Sequence, residues 1–224
     1  MGASNPPIDL PTPHRRRYES PRQRERQRKI LATARALLDE QGYAGMTMRE
    51  LARSAGVAQG TLYNLYSSKD ELIVAAVDDL LTELGEQAVA AETAPGFDAI
   101  IQLAWIMGSQ IEKTPNYAEA IARALFKAQP EDPIVEVTFG RFIPAVTGHL
   151  HRAAALEDLR PDVAIAPLAR HLAGQNWSVI LQWLMGVLPA AEIGRETVRS
   201  QMMTLAGVAT RAANERLAKA LQAL

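Results

Sequence analysis

The sequence predicts an all-α protein of about nine helices, and three observations lead to that fold class. Apolar residues recur at spacings of three and four along most of the 224 residues, as they do on one face of a helix. No stretch shows a convincing alternation of apolar and polar residues, the pattern of a half-buried strand. Prolines and glycines, 13 and 14 in number, divide the periodic stretches into segments.

Composition excludes several classes of protein. Hydrophobic residues make up 48% and charged residues 22%, as in an ordinary globular protein, and no apolar run is long enough to cross a bilayer. The start of the chain has no secretory apolar region, and Pro6 stands where a myristoylation signal needs Ser or Thr. The absence of cysteine excludes disulfides, thiol catalysis and zinc-thiolate sites. We expect a cytoplasmic protein.

The N-terminal part of the chain is basic. Residues 1–72 carry 12 Lys and Arg against 8 Asp and Glu, whereas residues 73–224 carry 12 against 17. Residues 1–21, with four prolines among the first 20 residues and the run His14 to Arg17, are predicted to form a disordered basic arm. Its arginines either reach a minor groove or phosphates of DNA, or only keep the arm solvated. A first helix should follow, ending at Gly42.

Two short predicted helices form the organising motif of the sequence. Thr47 is a natural N-cap, and Glu50 completes a capping box three residues later. Gly56 then interrupts the apolar spacing, which resumes in a second short segment. Two helices joined by a short turn containing glycine form a helix-turn-helix, whose second helix can enter a major groove of DNA. Ser68 and Glu71 repeat the capping pattern and open a third, longer helix.

The motif carries a family resemblance. The order T-x-R-x-L-A, then A-G-V-A-x-G-T-L-Y-x-x-Y, then S-K-x-E-L resembles the DNA-binding region of tetracycline-repressor-type (TetR family) transcriptional regulators. The resemblance extends upstream to Ile30, while Ala58 and Leu65 stand where the family often has Ser and His. It implies a homodimer whose recognition helices enter successive major grooves of a palindromic operator.

Residues 22–72 are therefore predicted to form the DNA-binding domain. Arginine can pair with guanine and glutamine with adenine, and the resemblance implies that Arg49 and Gln59 lie nearest to the bases. Lys69 is expected to meet a phosphate. The alternative is that such residues only cap, pack or solvate their helices. The predicted DNA contacts are Thr47, Arg49, Gln59, Gly60, Thr61, Tyr63, Asn64 and Lys69.

Residues 73–224 are predicted to form an effector-binding and dimerisation domain. The segment 97–113 is apolar nearly all round and is expected to be buried at its centre. Two long helices, roughly 162–186 and 191–221, should close the chain. The last one carries an apolar stripe from Val198 to Leu221, which predicts a homodimer formed through these two helices.

Aromatic residues on different predicted helices are candidates for an effector pocket. We expect a cavity above roughly 300 Å³ beside Trp105. Trp183 is six residues from Trp177 and should point elsewhere, so only Trp177 is expected to face the cavity. Taken singly, each aromatic side chain could equally belong to the core. The predicted effector contacts are Trp105, Tyr117, Phe126, Phe142, Asn176 and Trp177.

The expected function is a ligand-responsive transcriptional repressor, released from its operator by a small apolar or amphipathic effector. A ligand-independent DNA-binding regulator, an activator, and an enzyme with a DNA-binding appendix remain alternatives. The sequence contains no G-x-S-x-G, H-E-x-x-H, P-loop or G-x-G-x-x-G motif, so no catalytic residue or cofactor is assigned. His149 and His151, two residues apart on one helix, cannot bind one metal ion together.

Overall fold

The computed structural model describes residues 20–90 and 95–224, and these residues form an all-α fold. Residues 1–19 of the predicted arm lie outside this description. The N-terminal helices are α1 (Pro21–Gly45), α2 (Met48–Ala55), α3 (Gln59–Leu65) and α4 (Lys69–Ala90). The others are α5 (Phe97–Lys113), α6 (Pro115–Lys127), α7 (Pro133–Ala155), α8 (Ile165–Leu184), α9 (Ile193–Val208) and α10 (Arg211–Gln222), with a short 3-10 helix at Ala190–Glu192. The predicted fold class is confirmed.

The predicted capping residues begin the N-terminal helices. The Ser20 hydroxyl accepts from the Gln23 backbone amide, and the Ser20 amide donates to the side-chain oxygen of Gln23. The Thr47 hydroxyl accepts from the Glu50 amide at 3.2 Å and caps the start of α2. The predicted capping box is not completed, because the Glu50 carboxylate accepts from the Gln41 side chain instead. α1 runs to Gly45 with a non-helical residue at Gly42, whose φ of 69° interrupts the helix where the sequence predicted its end.

A first apolar core joins the N-terminal helices to part of the C-terminal region. α1 and α2 contribute Ile30 and Leu51, and α3 contributes Leu62, all three fully buried. Tyr117 of α6 and Ile134 of α7 belong to the same cluster. The predicted domain boundary after residue 72 falls inside α4, and this core continues past it. α2 packs on α1 and α3, and α1 and α4 in turn pack on α6 and α7, respectively.

The prediction of one long last helix is wrong, because the helix is interrupted between α9 and α10. Ala209 is extended, with a ψ of 153°, and forms an isolated antiparallel bridge with Leu159 from the α7–α8 connection. The Thr210 amide donates to the Asp158 carbonyl at 2.8 Å. The described residues consequently contain ten α-helices rather than about nine.

The predicted dimer stripe is also a misassignment. Val198, Met202, Leu205, Ala213 and Leu217 are all buried within one chain, in the second apolar core. This core is formed by α5, α7, α8, α9 and α10. Within the described residues, no helix combines the length and the apolar character needed to cross a membrane.

Candidate functional site

The residues predicted to contact DNA lie on one short stretch of exposed surface. Six of the eight are exposed and two, Thr61 and Lys69, are half-buried. Tyr63 is 47% exposed, so it is not a core residue, whereas its neighbours Leu62 and Tyr66 are buried. The six exposed residues are Thr47, Arg49, Gln59, Gly60, Tyr63 and Asn64.

The turn between α2 and α3 fixes how this surface is presented. Gly56 has a φ of 69°, in the left-handed region that suits glycine, and its amide donates back into the end of α2. The Val57 amide donates to the Ala52 carbonyl at 2.9 Å and completes the turn. A Cβ atom added at Gly60 would meet no heavy atom within 4 Å. The first turn of α3 is therefore open to a close approach by another molecule.

Lys69 has a structural role that sequence reasoning missed. Its ammonium group donates to the Tyr43 and Met46 carbonyls, the latter at 2.7 Å, and lies 4.0 Å from the centre of the Tyr43 ring. The Tyr43 hydroxyl donates to the Asp70 carboxylate at 2.6 Å. Burial lowers the pKa of Lys69, while the nearby Asp70 carboxylate opposes that shift. These contacts hold the start of α4 against the end of α1.

A basic cleft beside α3 was not among the predicted site residues. Its volume is about 520 Å³, and it separates the start of α1 from the α2–α3 turn. α1 contributes Arg22, Arg26 and Lys29, with Glu25 between them, and the far wall includes Thr61. The three basic residues are four and three positions apart, the spacing of one helix face. That spacing is the signal by which the sequence could have identified them.

The C-terminal region contains a cavity of about 130 Å³ between six helices. α4 and α5 wall one side with apolar side chains such as Leu81 and Ile111, and α6 contributes Ile121. α7 and α8 contribute the aromatic rings of Phe142, Trp177 and Trp183. Thr197 of α9 completes the wall.

Four of the six predicted effector contacts, Tyr117, Phe142, Asn176 and Trp177, line this cavity. The prediction of a larger pocket beside Trp105 is wrong. Trp105 is 49% exposed and lies outside the cavity wall, because the buried face of α5 is formed by neighbours such as Leu103 and Ala104. Phe126 is also outside the wall, although its ring packs edge-on against Trp177 with centroids 6.1 Å apart.

Trp177 and Trp183 both line the cavity, against the expectation that one of them would point elsewhere. The α8 side of the wall runs through Ala173, Trp177, Ile180 and Trp183, at spacings of four and three. It therefore covers a broad arc of the helix, wide enough for both rings. The sequence did not predict Trp183 on the wall, because the neighbouring helices determine how much of the α8 surface a cavity reaches.

Known proteins are similar to this chain in its DNA-binding region and beyond it. Residues 30–76 match the family of bacterial regulatory proteins called the tetR family. The DNA-binding region of this chain belongs to that family. The transcriptional repressor KstR of Mycolicibacterium smegmatis is 26% identical over 77% of this chain and 83% of its own length. KstR of Rhodococcus jostii is 29% identical over 72% of this chain and 74% of its own length.

Solved structures of TetR-family proteins share the fold well beyond the DNA-binding helices. FadR of Thermus thermophilus, a repressor solved in complex with lauroyl-CoA, matches 83% of this chain and 96% of its own. The TM-score is 0.64 and the identity is 20%, a level at which the similarity establishes the fold only. The matched family region contains all eight predicted DNA contacts.

One departure from the TetR-family pattern has a visible structural consequence. Ala58 is the N-cap of α3, where the family often has Ser, and no side-chain hydrogen bond caps this helix. The first amides of α3 therefore lack the partner that a serine hydroxyl would supply. The Thr61 amide donates instead to the Ala58 carbonyl at 2.9 Å, and both residues border the basic cleft.

Proposed function

We propose that this TetR-family regulator is a ligand-responsive repressor, which binds a palindromic operator as a homodimer and leaves it when a small molecule occupies the cavity. The observation that carries the proposal is that helices α4 and α6 line the cavity and also hold the helices of the DNA-binding region in place. Because an operator lies with the chromosome, we propose a cytoplasmic location.

The first connection runs through α4. This helix begins beside the DNA-binding surface at Lys69, and its later turns wall the cavity with Val77 and Leu84. Arg35 of α1 donates to Asp79 at 2.8 Å and to Glu83 at 3.0 Å. A ligand that shifts α4 must therefore carry α1 with it or break this ion pair.

The second connection runs through α6. The Tyr117 amide donates to the Asp39 carboxylate of α1 at 2.9 Å, and the Asn116 side chain donates to the Asp39 carbonyl at 2.8 Å. Tyr117 also lines the cavity. A ligand changes operator affinity only to the extent that it binds the two arrangements of these helices unequally.

A dimer is needed to present two recognition helices about 34–36 Å apart, one turn of DNA. The faces of α8 and α9 that point away from both cores carry exposed apolar residues, including Leu181, Met185 and Met203. Gly174 and Gly207 on the same helices have open space around an added Cβ atom, which would let a partner helix approach closely. We propose that these faces, rather than the buried stripe of α9 and α10, form the dimer.

The proposed DNA contacts predict a loss of operator binding for two single substitutions. Arg49→Ala and Gln59→Ala should each weaken binding to the cognate operator by about 1–3 kcal/mol and relax base preference, because each removes a contact to a base edge. Binding curves on operator fragments selected from random DNA by the purified protein would measure both effects. The same selection and sequencing would test whether the preferred site is palindromic.

Arg123→Ala is the matched control for these variants. Arg123 is exposed on α6, away from the DNA-binding surface, and pairs with Glu119 four residues earlier. Its removal should leave operator affinity unchanged. Wild-type operator affinity in both Arg49→Ala and Gln59→Ala would contradict the proposed interface.

Two adjacent methionines provide a sharp test of the dimer. Met203 is 61% exposed and Met202 is 2% exposed. Met203→Glu should yield folded monomers that lose operator affinity, whereas Met202→Glu should unfold the chain, because it buries an unpaired charge. Sedimentation velocity and circular dichroism would separate the two outcomes. A Met203→Glu protein that remains dimeric would exclude this face as the interface.

A ligand-independent repressor and an activator remain as alternatives of the same class. Deletion of the coding sequence should raise expression from the selected operator if the protein is a repressor and lower it if the protein is an activator. In a ligand-responsive regulator, blocking the cavity should prevent the change in expression that the ligand causes. In a ligand-independent regulator, blocking the cavity should leave expression from the operator unchanged.

A further inference from the structure

The walls of the cavity carry no charge. Every described residue that lines it is apolar, aromatic or a neutral polar residue. Burying an ionised ligand group without a partner of opposite charge costs several kcal/mol or more. The cavity consequently selects against a ligand whose charged group must enter it.

Most polar side chains of the wall already have partners. The Thr138 hydroxyl donates to the Ile134 carbonyl at 2.7 Å. The Asn176 carbonyl oxygen accepts from the Gln201 side chain at 2.7 Å. The Gln110 and Thr114 side chains are bonded to each other at 3.3 Å.

The Tyr117 hydroxyl does not add a free polar group to this wall, because it is buried away from the accessible space and has no hydrogen-bond partner among the described residues. Burial raises the pKa of Tyr117, so the hydroxyl stays uncharged. The wall therefore offers a ligand few free hydrogen-bonding groups.

The size of the cavity limits the ligand further. Its volume of about 130 Å³ is close to that of an engineered apolar cavity, about 150 Å³, which binds benzene. A single ring with a short substituent fits such a space, whereas a long acyl chain does not.

We propose that the cavity takes an uncharged, largely hydrocarbon ligand of about one ring. This inference rests on the proposed function, since it names the class of effector for the same cavity. The proposed ligand differs from the lauroyl-CoA bound in the FadR structure, which combines a long acyl chain with anionic phosphates.

The test uses the full chain and three probes of similar size, namely acetophenone, ethylbenzene and benzoate, together with lauroyl-CoA. Trp105→Phe removes the exposed indole, so that the remaining fluorescence comes from Trp177 and Trp183 on the cavity wall. We expect saturable quenching by acetophenone and an affinity for benzoate at least about tenfold weaker. Acetophenone should release the selected operator over the concentration range in which it quenches.

Tyr117→Phe is the control for a polar contact to the ligand. The ratio of acetophenone to ethylbenzene affinity should stay unchanged, because the hydroxyl that the variant removes is not accessible from the cavity. This ratio corrects for the different solubilities of the two probes. The variant should be at least as stable as wild type, because the hydroxyl it removes has no protein partner.

Ala118→Leu fills the cavity from α6, and Ala124→Leu adds the same atoms to an exposed position of that helix. Only Ala118→Leu should abolish quenching by acetophenone. Binding of benzoate or lauroyl-CoA more tightly than acetophenone, or no acetophenone binding, would each overturn the ligand class. Operator release by lauroyl-CoA would then leave ligand-responsive regulation standing. Acetophenone bound in the cavity without any operator release would instead contradict the proposed function.

Discussion

Replacing Arg35 with alanine should lower the free energy of unfolding by about 3 kcal/mol, one of the largest effects expected for a single substitution in this chain. The Arg35 side chain is 13% exposed, and its partners Asp79 and Glu83 are 14% and 36% exposed. Its removal leaves two carboxylates facing each other in a poorly solvated space. The estimate lies at the low end of the range for a broken buried pair, because water still reaches Glu83.

The protonation of Arg35 reflects the same balance. Burial acts to lower the pKa of its guanidinium group, but the hydrogen bond to Asp79 and the charge of Glu83 outweigh it and raise the pKa overall. The arginine therefore stays charged at any physiological pH, and its two bonds to α4 are permanent features of the folded chain.

The lower free energy of unfolding of Arg35→Ala should appear in urea denaturation as a lower midpoint at an unchanged slope.

Arg28→Ala is the control for Arg35→Ala. Arg28 also joins α1 to α4, but its pair with Glu86 is 3.9 Å long and the two side chains are 60% and 64% exposed. An exposed pair contributes about 0.5 kcal/mol or less, so this variant should unfold close to wild type. Equal losses in the two variants would show that burial of the ion pair is not the cause.

The DNA-binding helices could be predicted because their signals are local. Thr47 caps α2 within three residues, Gly56 ends α2 through its own φ of 69°, and the Ser68 hydroxyl accepts from the Glu71 amide at the start of α4. Each of these contacts joins residues that are close in sequence, so residue types and spacing suffice to predict it.

The break before α10 could not be predicted, because residues far along the chain cause it. Ala209 is a good helix former and continues the apolar spacing of α9, which favoured one long helix. In the fold, the Thr210 amide and hydroxyl donate to the carbonyls of Asp158 and Glu157, both at 2.8 Å. These bonds to the α7–α8 connection replace the helical hydrogen bonds at this point.

The cavity was only partly predictable for a similar reason. Aromatic residue types indicated three of the wall residues, and the polar Asn176 beside Trp177 was a fourth, but the sequence does not determine which face of α5 meets its neighbours. Trp105 points outward because the opposite face of α5 packs against α9, the most extensive contact between two helices of this fold. The same contact is the basis of the second large expected effect.

Gly108→Ala should destabilise the chain by an amount near the upper end of about 1–3 kcal/mol, the usual range for overpacking. A Cβ atom at Gly108 would lie 2.5 Å from the Gly194 Cα atom and 3.1 Å from the Gly194 nitrogen. Both atoms belong to the backbone of α9, so no side chain can move aside. The helices must separate, although the Gly194 amide donates to the Glu112 carboxylate across the same contact at 2.8 Å.

Gly85→Ala is the matched control, since Gly85 also lies inside a helix and an added Cβ atom there meets nothing within 4 Å. That variant should be more stable than wild type by about 0.5–1 kcal/mol, because alanine is the better helix former. Urea denaturation would give the two changes with opposite signs. If Gly108→Ala were as stable as Gly85→Ala, α5 and α9 could not lie as close together as this structure has them. Gly108 also lines the cavity, so separation of the two helices should in addition change acetophenone affinity.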